Sequence, residues 1–238
     1  MQTVTLHSGR KRCGDVRHLL LFLFLTVAAT PSAAIEPLAD EEGLPVPGSQ
    51  VLVEMGWARP LGDLGDDFDN TPLGFGASDG FELGFRWRKF FARNFSVSPA
   101  FHFSDYGDHE DFIEIYNDDG TLDELVEFEV SSTVYRFTLE FLYTLKDPDS
   151  SLVPFVGAGG GLYRNRVRGY YKIFEVPFDE SVNTLGLQAR AGFRVGELEF
   201  SAVYHLNRFS TWRYFRTGID QPYSWDTFSV RMGWVIPF

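Results

Sequence analysis

Histidines and clustered carboxylates are the side chains of this sequence best suited to chemistry. His102 and His205 lie on separate segments, and two such histidines do not make a metal site. Each is better interpreted as a histidine whose ring is satisfied inside the fold than as a general base. The sequence contains no phosphate-binding glycine loop, nucleotide fingerprint or zinc pattern. We therefore predict no catalytic residue, no metal and no cofactor.

An acidic stretch is the strongest candidate for cation or partner binding. Residues 105–129 hold eleven Asp or Glu and no Lys or Arg, with a turn expected at Asn117-Asp118-Asp119-Gly120. On a calcium-loop template the first and twelfth ligands fall on Ile115 and Val126, which cannot coordinate calcium. We expect a protruding acidic hairpin whose charges are solubilising, with divalent-cation or partner binding as the alternative.

The elements that position these residues are predicted to be β-strands. Large apolar residues alternate with small or polar ones in eight segments, and no long segment has a 3.6-residue apolar period. Pro99 predicts a bulge or local distortion in the third strand. The predicted strands cover residues 51–58, 81–88, 95–104, 134–145, 153–164, 185–195, 198–207 and 227–238.

The connections between these strands alternate between short and long. The short ones are 90–94, 146–151 and 196–197, and the long ones are 60–79, 105–130, 165–183 and 208–226. An even strand number with all long loops at one end is typical of outer-membrane barrels, which have short periplasmic turns and long extracellular loops. The sequence predicts an all-β fold, an eight-stranded antiparallel transmembrane up-and-down β-barrel.

Volume decides which face of the barrel meets lipid. An eight-stranded barrel has an interior only just wide enough for side chains, so the many large apolar residues must face outward. A soluble barrel of the lipocalin type, with the apolar set inside, is the alternative. An arginine facing lipid near the midplane costs about 2–4 kcal/mol, so the charged residues are placed in the lumen, where ion pairs would plug it. The predicted lumen ion pairs involve Glu54, Glu82, Arg86, Arg136, Glu140, Arg190, Arg194, Glu199 and Arg231.

One strand resembles a known family. Val153-Pro154-Phe155-Val156-Gly157-Ala158-Gly159-Gly160-Gly161 is similar to the proline-aromatic-glycine strand of small outer-membrane barrels of the opacity and OmpA-like type, the "porin family". A last strand of alternating apolar residues that ends in Phe238 resembles the signal that such proteins present to the outer-membrane assembly machinery. The resemblance implies a location in the cell outer membrane of a Gram-negative bacterium, but it implies no particular function.

Two basic and aromatic segments fall in the third and fourth long loops. Residues 164–172 and 208–216 combine Arg and Lys with Tyr, Phe and Trp. Because the arginine guanidinium suits phosphate geometry, we expect lipopolysaccharide contacts at Arg166, Arg168, Arg213 and Arg216. Packing within the loops is the alternative.

The lipid A deacylases are hydrolases that share this barrel size and carry a His-x-Ser-Asn motif. Tyr204-His205-Leu206-Asn207 is the nearest approach, but Asn207 stands where the serine belongs. The catalytic roles of that family therefore do not carry over to His205, and we predict that the chain is not an enzyme.

The N-terminal residues predict export. Arg10, Lys11, Arg12 and Arg17 precede an apolar run at 19–29, and small residues follow at 32–34. This is the pattern of a secretory signal peptide, with an apolar run too short for a membrane helix. The expected domains are a signal peptide at 1–34, a short periplasmic segment at 35–49 and an outer-membrane barrel at 50–238.

The charge balance narrows the expected partners. Without residues 1–34 the chain has 17 basic and 32 acidic side chains, which argues against nucleic-acid binding. We expect a monomer that contacts outer-membrane lipid, lipopolysaccharide and the assembly machinery, with an unidentified extracellular partner. The predicted function is non-catalytic: surface interaction, adhesion or envelope integrity through the long loops. A lipid A-modifying hydrolase and a narrow small-solute channel are the alternatives.

Overall fold

The computed structural model describes residues 47–65, 77–116, 122–171, 176–209 and 223–237. The signal peptide and most of the periplasmic segment predicted from the sequence lie outside these residues. Within them, the chain forms β1 (Ser49–Pro60), a 3-10 turn (Gly62–Leu64) and nine further strands. These strands are β2 (Gly80–Ala92), β3 (Phe95–Tyr116), β4 (Leu122–Thr144), β5 (Leu152–Tyr171), β6 (Val176–Val195), β7 (Leu198–Leu206), β8 (Arg208–Phe209), β9 (Tyr223–Ser224) and β10 (Thr227–Pro237).

Eight strands close into one antiparallel barrel, as the sequence predicted. Their order is β1-β10-β7-β6-β5-β4-β3-β2, and β8 and β9 form a separate two-stranded sheet. Closure joins β1 to β10 along a continuous register from Gln50↔Pro237 to Pro60↔Thr227. The alternation of large and small residues determines this pairing, because a slip of one residue would exchange the two faces of a strand.

The barrel has two unlike ends. We call the turn end the side with the connections after β2, β4 and β6, and the loop end the side with the connections after β1, β3, β5 and β7. Four strands extend further toward the loop end than the sequence predicted: β3, β4, β5 and β6 have 22, 23, 20 and 20 residues. β7, β10, β1 and β2 have only 9, 11, 12 and 13.

The extended strands correct one expectation and confirm another. The acidic stretch is a hairpin, because β3 and β4 stay paired from Asp108↔Ser131 to Tyr116↔Leu122. Residues 165–183 were expected to be a loop, which is wrong: β5 and β6 pair as far as Tyr171↔Val176. Above the apolar belt the outward positions become charged, so the apolar alternation fades although the ladder continues.

Pro99 interrupts the β2–β3 ladder locally, one of the two predicted outcomes, but causes no bulge. The β2–β3 register pairs Arg86 with Ala100 and Lys89 with Val97 on either side of it, and the register shift lies instead between Phe90 and Ala92. On its other side Pro99 pairs with Leu139 in an unbroken ladder. The missing N–H of proline is therefore accommodated without a bulge at that position.

Large apolar side chains cover the outside of the barrel. Met55, Leu83, Phe137, Leu162 and Val230 are among those exposed on outward positions. Phe101 and Phe137 contact each other across the β3–β4 ladder with ring centroids 4.8 Å apart. Such a belt would be unstable in water and is suited to lipid. The lipocalin-like alternative is therefore excluded, because its apolar set would face inward.

Aromatic side chains lie toward both edges of this belt. Trp57 and Tyr204 are outward-facing near the loop end, whereas Trp87, Tyr143 and Trp234 are outward-facing nearer the turn end. Their amphipathic rings suit the two membrane–water interfaces. In the described part of the chain, no helix has the length and apolar character needed to cross a membrane.

Candidate functional site

A network of charged side chains fills the middle of the barrel interior. It is positioned by inward-facing residues at alternate positions on β1 to β7 and β10, and glycines on the same face make room for it. A Cβ on Gly84 would lie 2.1 Å from the His102 ring, and one on Gly186 would lie 2.7 Å from the Tyr163 ring. Both aromatic rings therefore require glycine on the neighbouring strand.

The half of the network nearer the turn end is built around Glu54 and Glu199. Arg190 Nη2 donates to Glu54 Oε1 at 2.6 Å and to Glu199 Oε1 at 2.7 Å. Arg86 Nε donates to Glu54 Oε2 at 3.2 Å, and its Nη1 forms an ion pair with Glu140. These side chains are at most 3% exposed. Such burial is tolerated only because each charge has a partner.

The half nearer the loop end is built around Glu82. Arg231 Nη2 lies 2.5 Å from Glu82 Oε1, and Arg136 Nη1 lies 3.5 Å from Glu82 Oε2. Ser229 Oγ donates to the same carboxylate at 2.9 Å. Arg136 Nη2 also donates to Tyr106 Oη at 2.9 Å. Hydroxyl groups thus supply the hydrogen bonds that the ion pairs leave open.

The two histidines extend this network. Arg231 Nη2 lies 2.7 Å from His205 Nε2, and since arginine can only donate, that nitrogen is the acceptor. The ring proton then lies on Nδ1, which is 3.0 Å from Tyr163 Oη. His102 Nε2 lies between Glu54 Oε2 at 2.8 Å and Arg231 Nη1 at 3.2 Å, and so joins the two halves.

Apolar side chains close the network at both ends. On the turn side, Leu52, Phe90, Leu142, Phe155 and Val235 are buried inward residues. On the loop side, a cluster of apolar side chains fills the mouth: Ala58, Leu64, Ala77, Tyr106, Val130, Val134, Val167, Tyr223 and Trp225. The charged layer therefore lies between two apolar layers.

The long loops contribute the outer part of the loop-side cluster. The 3-10 turn brings Leu64 into it, and Asp63 Oδ2 accepts from the backbone N–H of Ser224 at 2.6 Å. The backbone N–H of Leu61 donates to the Asp226 carbonyl at 2.8 Å. These bonds hold the first long loop against the segment before β10, and Trp225 is completely buried there.

The predicted lumen residues mostly meet one another. Glu54, Glu82, Arg86, Arg136, Glu140, Arg190, Glu199 and Arg231 all lie in the contacts just given. Arg194 differs, because it is only partly buried at the turn end and its guanidinium donates to the Pro148 carbonyl. Within the described residues Arg194 forms no ion pair, although it lies opposite Glu199 in the β6–β7 ladder, and its place in the predicted ion pairs is therefore corrected.

Arg88 was missed among the candidate residues. Its Nη2 lies 2.8 Å from Glu199 Oε2, so it belongs to the network. The signal that identifies it is the two-residue spacing from Arg86, which places both on the inward face. Tyr106 and Tyr163 were also missed, because tyrosine occurs on both faces of this barrel.

The outward face of β5 carries a row of arginines, Arg164, Arg166 and Arg168, which we call the arginine stripe. It follows Leu162 on the outward face of that strand. Arg166 Nε donates to Asp179 Oδ1 at 2.7 Å, and Arg164 Nη2 donates to Ser181 Oγ at 3.3 Å. The hydrogen bond from Arg166 lowers the pKa of Asp179. Arg213 and Arg216, the other expected lipopolysaccharide contacts, lie outside the described residues, as does Phe238.

Among the described residues, no serine hydrogen-bonds to His205. The ring is buried, its nitrogens face Tyr163 and Arg231, and the lumen around it is closed. Asn207, which replaces the serine of the deacylase motif, pairs with Asn165 through reciprocal amide hydrogen bonds of 2.7 and 3.2 Å. Among the described residues, no group of three or more His, Cys, Asp or Glu side chains is placed to hold a metal ion.

Comparisons with known proteins give similarity in backbone only. No family model matches the sequence, and no curated protein matches it significantly. Neisserial surface protein A is 13% identical over 80% of this chain and 97% of its own, with a TM-score of 0.46. Ail, the attachment invasion locus protein of Yersinia pestis, in complex with the heparin analogue sucrose octasulfate, is 14% identical over 79% and 99%, with a TM-score of 0.44. The outer membrane protein OprG from Pseudomonas aeruginosa is 14% identical over 81% and 98%, with a TM-score of 0.40.

Proposed function

We propose that this chain is a non-catalytic barrel of the Gram-negative outer membrane whose function is carried by its loop end, in surface interaction, adhesion or envelope integrity. The observation that carries this proposal is the closed interior. Paired charges fill its middle, and apolar layers close both ends. An interior of this kind stabilises the barrel but offers neither a path nor a reaction site to a solute.

The two alternatives lose support from the same observation. A channel for small solutes requires a continuous water path past the arginines and carboxylates, whereas Trp225 and Leu64 are completely buried in the loop-side cluster. A lipid A hydrolase requires a nucleophile that lipid can reach, whereas His205 is completely buried. The long strands β3 to β6 extend beyond the apolar belt, which a barrel that served only as a membrane anchor would not need.

The arginine stripe supports lipopolysaccharide as the first partner. The three side chains lie directly above the last lipid-facing residue of β5, the level at which lipid phosphates are found. The pairing of Arg166 with Asp179 fixes one guanidinium in that position. The proposal further includes a monomeric barrel that the assembly machinery recognises through the C-terminal strand. The unidentified extracellular partner would bind the loop end.

The location is tested first by fractionation and heat modifiability. We expect the protein in the outer-membrane fraction, with a gel mobility that changes on boiling, because closed barrels resist detergent until heated. Purified and reconstituted in planar bilayers, it is expected to give no open-channel steps. A protein that remained soluble in the periplasm would overturn the membrane placement, and regular conductance steps would restore the channel alternative.

The lipopolysaccharide contact is tested with the double variant Arg166→Gln/Arg168→Gln. Loss of two phosphate-binding guanidiniums should weaken association with lipopolysaccharide micelles about tenfold or more, most strongly at low salt. The matched control is Arg93→Gln, which removes an arginine at the turn end, where it pairs with Asp147. Association that is the same in the double variant, the control and the native protein would contradict the contact.

A further inference from the structure

β6 and β7 stop pairing near the loop end of the barrel. Their ladder stops at Leu187↔Leu206, and two positions further the same register would bring Leu185 opposite Arg208. Arg208 instead begins β8 and pairs with Ser224 of β9. Thr184 Oγ1 donates to the Arg208 carbonyl at 3.0 Å, so a side-chain bond spans the two segments where the ladder has ended. The strands thus form a fork on the membrane-facing surface.

The fork opens a groove between the outward side chains. It has a volume of about 350 Å³ and is lined by Leu185, Leu187, Leu206 and Arg208. Leu185 is 81% exposed and Leu187 is 61% exposed, the two highest values among the exposed large apolar side chains of the described residues. The groove lies at the upper edge of the apolar belt, where the surrounding medium is lipid.

Arg208 gives the groove one cationic end. Its side chain is 68% exposed, and Nη2 lies 3.6 Å from Asp226 Oδ2. This distance is too long for a hydrogen bond, so the donors of the guanidinium remain suited to a second anion. An apolar groove with a cation at its end complements a lipid, which has hydrocarbon chains and a phosphate group in its head.

We propose that this groove binds one acyl chain of lipid A, with the chain along Leu185, Leu187 and Leu206 and a lipid A phosphate on Arg208. The occupant is lipid A because Arg208 is at the loop end, which faces the outer leaflet if the placement proposed above holds. The site is separate from the arginine stripe, which lies on β5 and provides only charge. It rests on the proposed outer-membrane location.

Two variants alter the groove without touching the lumen network. Leu187→Trp fills it, and Arg208→Gln removes the charge at its end. Two matched controls change similar residues elsewhere: Leu83→Trp on the lipid-facing side of β2, and Arg59→Gln, an exposed arginine at the loop end of β1. Heat modifiability of each variant verifies that it is folded.

The experiment is native mass spectrometry of full-length protein, refolded in mild detergent and titrated with lipid A that carries its two innermost core sugars. The native protein and both controls are expected to retain one lipid per barrel, and each groove variant about tenfold less at the same lipid concentration. Phosphatidylglycerol serves as the competing probe and is expected to be retained less well.

Each other outcome overturns the proposal. Equal retention in all five proteins means that the groove does not bind lipid, and equal loss in controls and groove variants means that the lipid binds the belt without a site. Equal retention of phosphatidylglycerol contradicts the assignment to lipid A. Since the titration uses refolded protein in detergent, its result is independent of fractionation, so a failure of the groove is distinguishable from a failure of the proposed location.

Discussion

Glu54 receives partners from three other strands. Arg86 on β2, His102 on β3 and Arg190 on β6 all reach its carboxylate within 3.2 Å. The alternating pattern of the sequence predicts that these side chains face inward, because the alternation within each strand alone determines which face a residue lies on. The pairing across the lumen depends on the register and tilt of strands far apart in the chain. The alternation therefore places Arg88 on the inward face but does not give its partner, Glu199, which is 111 positions away.

Replacing Glu54 with glutamine is expected to destabilise the barrel strongly. The change leaves Arg86 and Arg190 buried with one carboxylate fewer, and breaking a buried ion pair costs about 3–5 kcal/mol. The measurement is urea unfolding of refolded protein in micelles, followed by tryptophan fluorescence. Glu197→Gln, the same substitution in the exposed β6–β7 turn, is the control and is expected to change stability by about 0.5 kcal/mol or less. Similar losses in both would argue against a network centred on Glu54.

The hairpin of β5 and β6 illustrates what happens to a strand above the membrane. Inside the belt, outward positions are apolar and the alternation is unmistakable. Beyond Leu162 the same strand alternates Arg164, Arg166 and Arg168 outward with Asn165 and Val167 inward. The hydrophobic pattern therefore predicts where a strand crosses lipid but not where its ladder ends, and residues 165–183 were wrongly assigned to a loop for that reason.

The stability of this hairpin should depend on pH through the ionisation of Asp179. The hydrogen bond from Arg166 holds the pKa of Asp179 below its ordinary value of about 3.9. A depressed carboxyl pKa stabilises the hairpin above the unfolded pKa, and the contribution is lost as pH falls through the folded pKa. NMR titration of the Asp179 carboxyl carbon measures this pKa directly.

Two arginine variants separate the causes of this shift. Arg166→Gln is expected to raise the pKa of Asp179 toward the ordinary value, and Arg168→Gln, which interacts only through its charge, is expected to raise it less. An Asp179 that titrates normally in the native protein would show that the pair does not persist in solution.

At the scale of the whole molecule, the sequence was sufficient to predict the barrel and insufficient to predict the loop-side cluster of apolar side chains. Strand number, strand order and the lipid-facing side follow from local alternation and connection lengths, which every segment repeats. The loop-side cluster depends on long connections that fold back into the mouth, where Trp225 and Leu64 meet residues of β3, β4 and β5. The residue pattern of those connections has no periodicity that would predict their contact with the barrel mouth.

Seven of the eight barrel ladders join strands that are neighbours along the chain or are separated only by a long loop, whereas the β1–β10 ladder joins the first strand to the last. Contacts across the interior also join distant parts of the chain, since Glu54 meets Arg190 over a separation of 136 residues and Glu82 accepts from Ser229 over 147. An unclosed sheet would therefore present unmatched arginines and carboxylates to hydrocarbon. Only the completed cylinder brings these side chains to their partners, so closure of the barrel and pairing of its interior charges depend on each other.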